Sequence, residues 1–204
     1  MKKLFFYIII ATSIGVHAAA QQGLSKISVQ QSTHLPLGSV RASVDKPTFR
    51  GFTADYSYFL TNQFSIGVTG GFNDLYAKKD RKTYALNEVD VSAVKSYSIQ
   101  TIPMMLKGSY SKIKEGSLFQ PYVGIAAGAS LVNYQEWYGT LVDEKSGLRF
   151  SVAPEIGTRI AFSKYSLAGA DLSLRYHYTA FKYNDVNNLQ TVSLNLGLFF
   201  FNRN

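Results

Sequence analysis

Seven charged residues stand apart in this sequence: Asp55, Lys107, Arg149, Glu155, Arg159, Asp171 and Arg175. Each falls in a row of alternating residues made mostly of Ser, Thr, Gly and other small or polar residues, while the intervening row is largely apolar. If the polar row points inward, these charges have two uses. They line an ion or proton path with a gate, or they pair with one another and fill the interior as a plug. The signs nearly balance and buried charges must be paired, so the plug is favoured.

His177 is the other group with chemistry to offer. As a general base it needs a serine to activate and a carboxylate to orient it. Its own segment reads His177-Tyr178-Thr179, without a serine. Glu88 with Asp90, and Asp143 with Glu144, could hold a cation, but such pairs read first as solvated loop faces. No metal-ligand spacing, phosphate loop or nucleophile elbow is present. The residues predict no catalytic group, no metal and no cofactor.

The segments that carry these rows alternate with period two, as strands do. They run over 26–34, 49–60, 64–73, 95–110, 119–133, 148–162, 169–181 and 189–201. The last is the most regular, with Val192, Leu194, Leu196, Leu198 and Phe200 on one face and Thr191, Ser193, Asn195 and Gly197 on the other. The first, carrying only Ile27 and Val29, is the least patterned, so closure of the first strand onto the last is the weakest joint. Connections alternate short and long. The stretches 35–46, 76–94 and 134–147 read as loops on one side, and the polar turns 61–63, 111–117 and 163–168 lie on the other. Pro103 and Pro154 fall inside strands, where each loses a ladder hydrogen bond; local bulges are expected there.

The chain opens with Met1-Lys2-Lys3, an apolar run over 4–16 and Ala18-Ala19-Ala20, the pattern of a secretory signal peptide. Residues 1–20 are therefore expected to be a cleaved signal and 21–204 the folded domain. Without Lys2 and Lys3 the formal charge falls from +8 to +6. Nucleic acid is not an expected partner after export. There is no cysteine, which excludes a lipoprotein anchor and a disulfide framework.

A soluble barrel or sandwich also alternates, but its polar face meets water and carries Lys and Glu. Here most lysines sit in loops and at strand ends, and no charge interrupts the centres of the apolar rows. Aromatics collect at both ends of those rows, as at the two interfaces of a membrane barrel. Tyr58, Phe64, Tyr110 and Phe162 form one girdle; Phe72, Tyr76, Tyr134, Trp137 and Tyr178 form the other. The fold class expected is all-β: an eight-stranded antiparallel up-and-down transmembrane β-barrel.

The eight-strand pattern, Phe-Ser-Ile-Gly-Val-Thr-Gly-Gly over 64–71, Pro-Tyr-Val-Gly-Ile-Ala-Ala-Gly over 121–128 and the final strand resemble the outer membrane protein β-barrel family, including small OmpA- and OmpX-like and porin-family barrels. The resemblance covers nearly all of 21–204. It implies a Gram-negative outer-membrane location, periplasmic termini, outer-membrane lipids as surroundings and the barrel-assembly machinery as partner during biogenesis. Such proteins typically end on the final aromatic, whereas Phe201 is followed by Asn202-Arg203-Asn204. Some eight-stranded barrels are lipid A deacylases with a His-x-Ser pattern, which the Thr179 of this chain breaks. The function expected is that of a monomer with a structural or interaction role through its loops and in envelope integrity. A narrow passive pore is the alternative, and a lipid-modifying enzyme the third reading.

Overall fold

The computed structural model describes residues 23–86, 89–112, 117–184 and 186–203; the expected signal peptide lies outside them. Eight strands follow in chain order: β1 (Leu24–Leu37), β2 (Gly51–Phe59), β3 (Phe64–Leu86), β4 (Val89–Ser111), β5 (Phe119–Tyr138), β6 (Leu141–Ala161), β7 (Ala168–Tyr183) and β8 (Val186–Arg203). One short helix, α1 (Val40–Ser43), interrupts the β1–β2 connection. Each strand pairs antiparallel with its neighbours in sequence, and β8 closes on β1. The closing joint is a continuous ladder from Leu24↔Arg203 to Leu37↔Gln190. At this seam Gly197 brings the two backbones close, because a Cβ there would lie 2.0 Å from the carbonyl oxygen of Val29.

The alternation places the apolar rows outside. Leu106, Phe162, Leu196, Ile156, Met104 and Val29 are all largely exposed on the outer wall. On β3, β4 and β5 the apolar outer row spans 64–72, 102–110 and 123–131, and such stretches of about 9–11 residues are what a tilted strand needs to cross a bilayer. In water so large an apolar surface would drive association; in lipid it is the solvated face.

Three expectations from the sequence need correction. Among the described residues, 76–86, 89–94 and 134–147 are not loops but continuations of β3–β4 and β5–β6, with Leu86 paired to Val89 and the second hairpin turning at Gly139-Thr140, where Gly139 has φ 64°. Their period is still two, but its phase is inverted. Beyond the apolar band the inward side chains Leu75, Tyr97, Ile99, Val132 and Tyr134 are apolar and buried, while outward positions such as Tyr76, Lys78 and Asp80 are exposed. Scoring for an apolar outer face therefore loses the strands there. Second, the segment 35–46 is not all loop, since β1 runs to Leu37 and α1 follows.

Third, neither proline makes a bulge. Around Pro103 the β3–β4 ladder skips Gly71 and Phe72, and around Pro154 the β6–β7 ladder skips Tyr176 and His177, but both resume in the same register. In an antiparallel ladder a residue's polar groups address one neighbour, so each proline opens one ladder and leaves the other intact. The register shifts occur instead at Lys79/Lys82 and Thr179/Lys182.

Candidate functional site

Inward-facing positions of all eight strands converge on a filled interior. Near its centre four charges from four strands form a ring. Lys107 on β4 reaches Asp55 on β2 at 2.7 Å and Glu155 on β6 at 2.5 Å. Arg175 on β7 reaches the same two carboxylates, Glu155 at 2.5 Å and Asp55 at 3.3 Å, and donates to Thr69 Oγ1 at 3.1 Å. All four side chains are almost wholly buried.

A second cluster lies toward the short-turn end. Lys26 Nζ meets Asp171 Oδ2 at 3.0 Å, and Tyr122 donates to Asp171 Oδ1 at 2.8 Å. Gly157 makes room for the Tyr122 ring, because a Cβ there would stand 2.7 Å from it. Arg159 donates to Ser111 and sits against the rings of Phe59, Tyr122 and Phe201, 5.2–5.9 Å from their centres. Among the described residues it makes no ion pair; the aromatic faces attract its charge instead.

Of the seven charges singled out in the sequence, four form the ring and Asp171 pairs with Lys26, a residue the weak pattern of the first strand concealed. Arg149 departs from the expected network: among the described residues it has no carboxylate partner and lies over Phe181 at 5.9 Å. On β6 the inward side chains of Ser151 and Ala153 lie between it and Glu155, so it stands at the level where the interior has turned apolar.

That upper interior is closed by the chain itself. Val40 and Val44 of the α1 segment are fully buried against a cluster that includes Leu75, Tyr97, Phe181 and Leu189. Lys79 Nζ donates to the carbonyl of Ala42 at 2.7 Å, and Ser39 bonds to the backbone of Asn187 at 2.8 and 3.0 Å. Between this apolar plug and the charged ring lies a cavity of about 20 Å³ lined by His34, His177, small polar side chains and the apolar Leu75, Pro103 and Leu189. His177 does meet a serine, Ser193 of the adjacent strand, at 3.1 Å. The expectation that no serine is near was drawn from one strand, and the partner comes from the next. Ser193 is fully buried, and no hydrogen bond joins His177 to a carboxylate among the described residues.

The nine girdle aromatics divide differently from expectation. Tyr58, Phe64, Tyr110 and Phe162 are exposed on the outer wall at the short-turn end, and Tyr76 at the other; Phe72 and Tyr178 are half-buried there. Tyr134 is turned inward and is 1% exposed, because alternation continues through it and it keeps the even-numbered inward phase of β5. Trp137 faces outward but stands off from the band, beyond the polar pairs Asn133↔Ser146 and Gln135↔Glu144. Asp143 accepts from Tyr183 Oη at 2.5 Å and Asn184 Nδ2 at 2.9 Å, so its oxygens already have donors. Glu88 lies outside the described residues, and among those residues no three His, Cys, Asp or Glu side chains converge as for a metal.

Beyond the apolar band, Glu136 and Lys95 form a further ion pair. Tyr134 and Tyr138 also donate to Glu136, at 2.9 and 2.6 Å. Burial alone would raise the Glu136 carboxyl, but these bonds from Lys95 and the two tyrosines outweigh it and hold it below the ordinary glutamate value. Burial likewise opposes the charge on Lys95, and its bonds to Glu136, Tyr138 and Tyr97 hold it above the ordinary lysine value. The carboxylate's contribution is complete above an ordinary pKa of about 4.3 and is lost as pH falls through the lower folded value. The ammonium's is complete below about 10.4 and is lost as pH rises through the raised value. Glu136→Gln is expected to remove about 1.5–3 kcal/mol of charged hydrogen bonding at pH 7. Amide exchange in the β4–β5 extension should then rise more than tenfold while the ladders of the apolar band stay protected; equal exchange in both proteins would contradict the role given to the pair.

A family model for the outer membrane protein beta-barrel domain matches residues 7–200. Among solved structures, the chain is similar to Ail, the attachment invasion locus protein of Yersinia pestis, at 17% identity over 89% of this chain and 99% of that one, with a TM-score of 0.51. It is similar to OprG of Pseudomonas aeruginosa at 13% identity over 91% and 99%, with a TM-score of 0.53. Neisserial surface protein A matches at 15% identity over 87% and 95%, also at 0.53. At such identities the likeness is one of fold. No curated protein matches the sequence.

Proposed function

The chain belongs to the outer membrane protein β-barrel family, and we propose that it is a closed, non-conducting barrel that acts through its long-hairpin end and through envelope integrity. It is an outer-membrane protein of Gram-negative type, built like the small barrels it resembles. In this reading the termini and short turns face the periplasm and the β3–β4, β5–β6 and α1 segments face outward. The lipids of that membrane cover the apolar band. The barrel-assembly machinery inserts the chain, reading the final strand β8 with its aromatic cluster Phe199 to Phe201, and the barrel works as a monomer.

One observation carries the proposal: the interior is obstructed twice. The Asp55–Lys107–Glu155–Arg175 ring spans it from four strands, and Val40 with Val44 fills its upper mouth. An eight-stranded barrel has interior room for side chains only. The buried, double-bridged pairing of the ring supports a static plug over a gate. Reconstituted into a planar bilayer, the protein is expected to show no stable single-channel steps. Stable steps that change when the ring is re-paired, for example by exchanging Asp55 and Lys107, would establish the narrow pore instead. An altered lipid A mass profile on deletion would establish the enzyme. His177 and Ser193 do not favour it, since Ser193 is fully buried and, among the described residues, no carboxylate orients His177.

A further inference from the structure

Four strands rise beyond the rest of the wall. β2 begins at Gly51, opposite Asn73, and offers β3 no partner above that point. β3 continues to Leu86, paired on its other side with β4 as far as Val89. On β6 the ladder with β7 ends at Ser151↔Thr179, while that with β5 runs on to Leu141↔Tyr138. Among the described residues β3, β4, β5 and β6 therefore leave the barrel as an open sheet with two edges.

The two edges differ. The β6 edge is occupied by its own chain, since Tyr183 and Asn184 of the β7–β8 turn donate to Asp143 at 2.5 and 2.9 Å, and Lys145 Nζ lies 4.7 Å from the centre of the Tyr183 ring. The β3 edge has no such cover. Its last backbone hydrogen bond on that side, among the described residues, is from the Asp74 N–H to the Arg50 carbonyl at 2.9 Å. Successive residues of an antiparallel strand address opposite neighbours. Tyr76 and Lys78, in step with Asp74, therefore hold their N–H and C=O groups away from β4, toward the free edge. An edge of this kind is a template for a further strand.

Charge selects the strand. Along this edge Lys78, Lys79, Arg81 and Lys82 stand against Asp80 alone, and all five are exposed. Across the ladder Lys78, Lys79 and Lys82 face Ser96, Lys95 and Ala93, so β4 supplies no carboxylate opposite them. Lys79 Nζ reaches only the neutral carbonyl of Ala42. A second copy of the chain would bring the same cations, and like charges opposite one another disfavour pairing. Lysines on an edge guard it against its own kind in this way, but they favour a strand of opposite sign.

We propose that the free edge of β3 over 75–82 takes an extended acidic segment of another protein as an added strand, held by backbone hydrogen bonds at Tyr76 and Lys78 and by carboxylates against the four cations. This rests on the reading that the long-hairpin end is the working end of the barrel.

The test uses the protein purified from outer membranes into a zwitterionic detergent, and a fluorescent peptide of alternating glutamate and threonine. The peptide is expected to bind more than about tenfold more tightly than its lysine–threonine counterpart. It should also bind more than about tenfold more tightly than the same acidic peptide methylated at every amide, which keeps the charge and loses the donors. Amide exchange at Tyr76 and Lys78 should slow about tenfold in the complex, with the ladders of the apolar band unchanged. Lys78→Glu combined with Lys82→Glu should weaken binding more than about tenfold; should that variant fail to fold, the exchange measurement on the wild type decides. No binding, or equal binding of the methylated peptide, as a polyanion held by charge alone would give, would overturn the added strand. So would unprotected Tyr76 and Lys78 amides in the complex, or β3 amides protected without peptide in a dimer of the barrel. A periplasmic long-hairpin end, which would overturn the reading beneath, leaves these results unchanged. It shows instead as failure of Lys78 and Lys82 to react with an impermeant amine reagent on intact cells.

Discussion

Arg175→Met is expected to destabilise the barrel by about 3–5 kcal/mol, the usual result of removing one partner from a buried ion pair. Arg175 and Lys107 together neutralise Asp55 and Glu155, and both carboxylates are almost completely buried. Once the guanidinium is gone, two carboxylates share one ammonium in a space that water does not reach, and Thr69 loses its donor. The measurement is guanidinium-induced unfolding in detergent or lipid, compared at the midpoint. A companion variant separates charge imbalance from lost packing. Asp55→Asn combined with Arg175→Met removes one charge of each sign. The pair should therefore be less destabilised than the two single changes added together, by at least about 1 kcal/mol, as coupled residues of one network are. A cost for Arg175→Met below about 1 kcal/mol would mean that water enters the ring, and would favour the pore.

The ring also marks where sequence reading succeeds and where it stops. Asp55, Lys107, Glu155 and Arg175 were recognisable as inward because each interrupts a Ser, Thr and Gly row on a strand whose other face is plainly apolar. Which of them meet was not legible, because that depends on the relative register of strands far apart in the chain. Lys26 was missed because Gln31 and Thr33 interrupt the apolar outer face of β1 between Val29 and Leu35, and Pro36 stands near its end. The extensions of β3 to β6 were read as loops for a different reason. Alternation continues there, but outside the bilayer the polar residues belong outside and the apolar ones inside, so Tyr97, Ile99, Val132 and Tyr134 occupy positions that serine and threonine hold lower down. Tyr134 was assigned to the girdle by the same error of phase. The meeting of His177 with Ser193 required knowing that β7 and β8 are paired with Arg175 opposite Ser193.

Leu106→Arg decides whether the outer wall faces lipid. Leu106 is 72% exposed on β4, and its outward neighbours in register are Val68 on β3 and Ala127 on β5. It lies within the apolar outer row of that strand, between Met104 and Tyr110. On a protein bathed in water, arginine at so exposed a position would change stability by no more than about 0.5 kcal/mol. At the middle of a bilayer the same change costs about 2–4 kcal/mol. Gln100→Arg is the control, since Gln100 faces outward on the same strand opposite Asn133, above the last apolar rung. Near an interface that change should cost about 0–1 kcal/mol. Unfolding in lipid vesicles should therefore place Leu106→Arg well below wild type and Gln100→Arg close to it. Equal stability for all three proteins would remove the membrane from the outer face. A large cost at both positions would instead place the upper edge of the bilayer beyond Gln100, so that the polar pairs Asn133↔Ser146 and Gln135↔Glu144, and not the ends of the apolar rows, would mark the limit of the lipid.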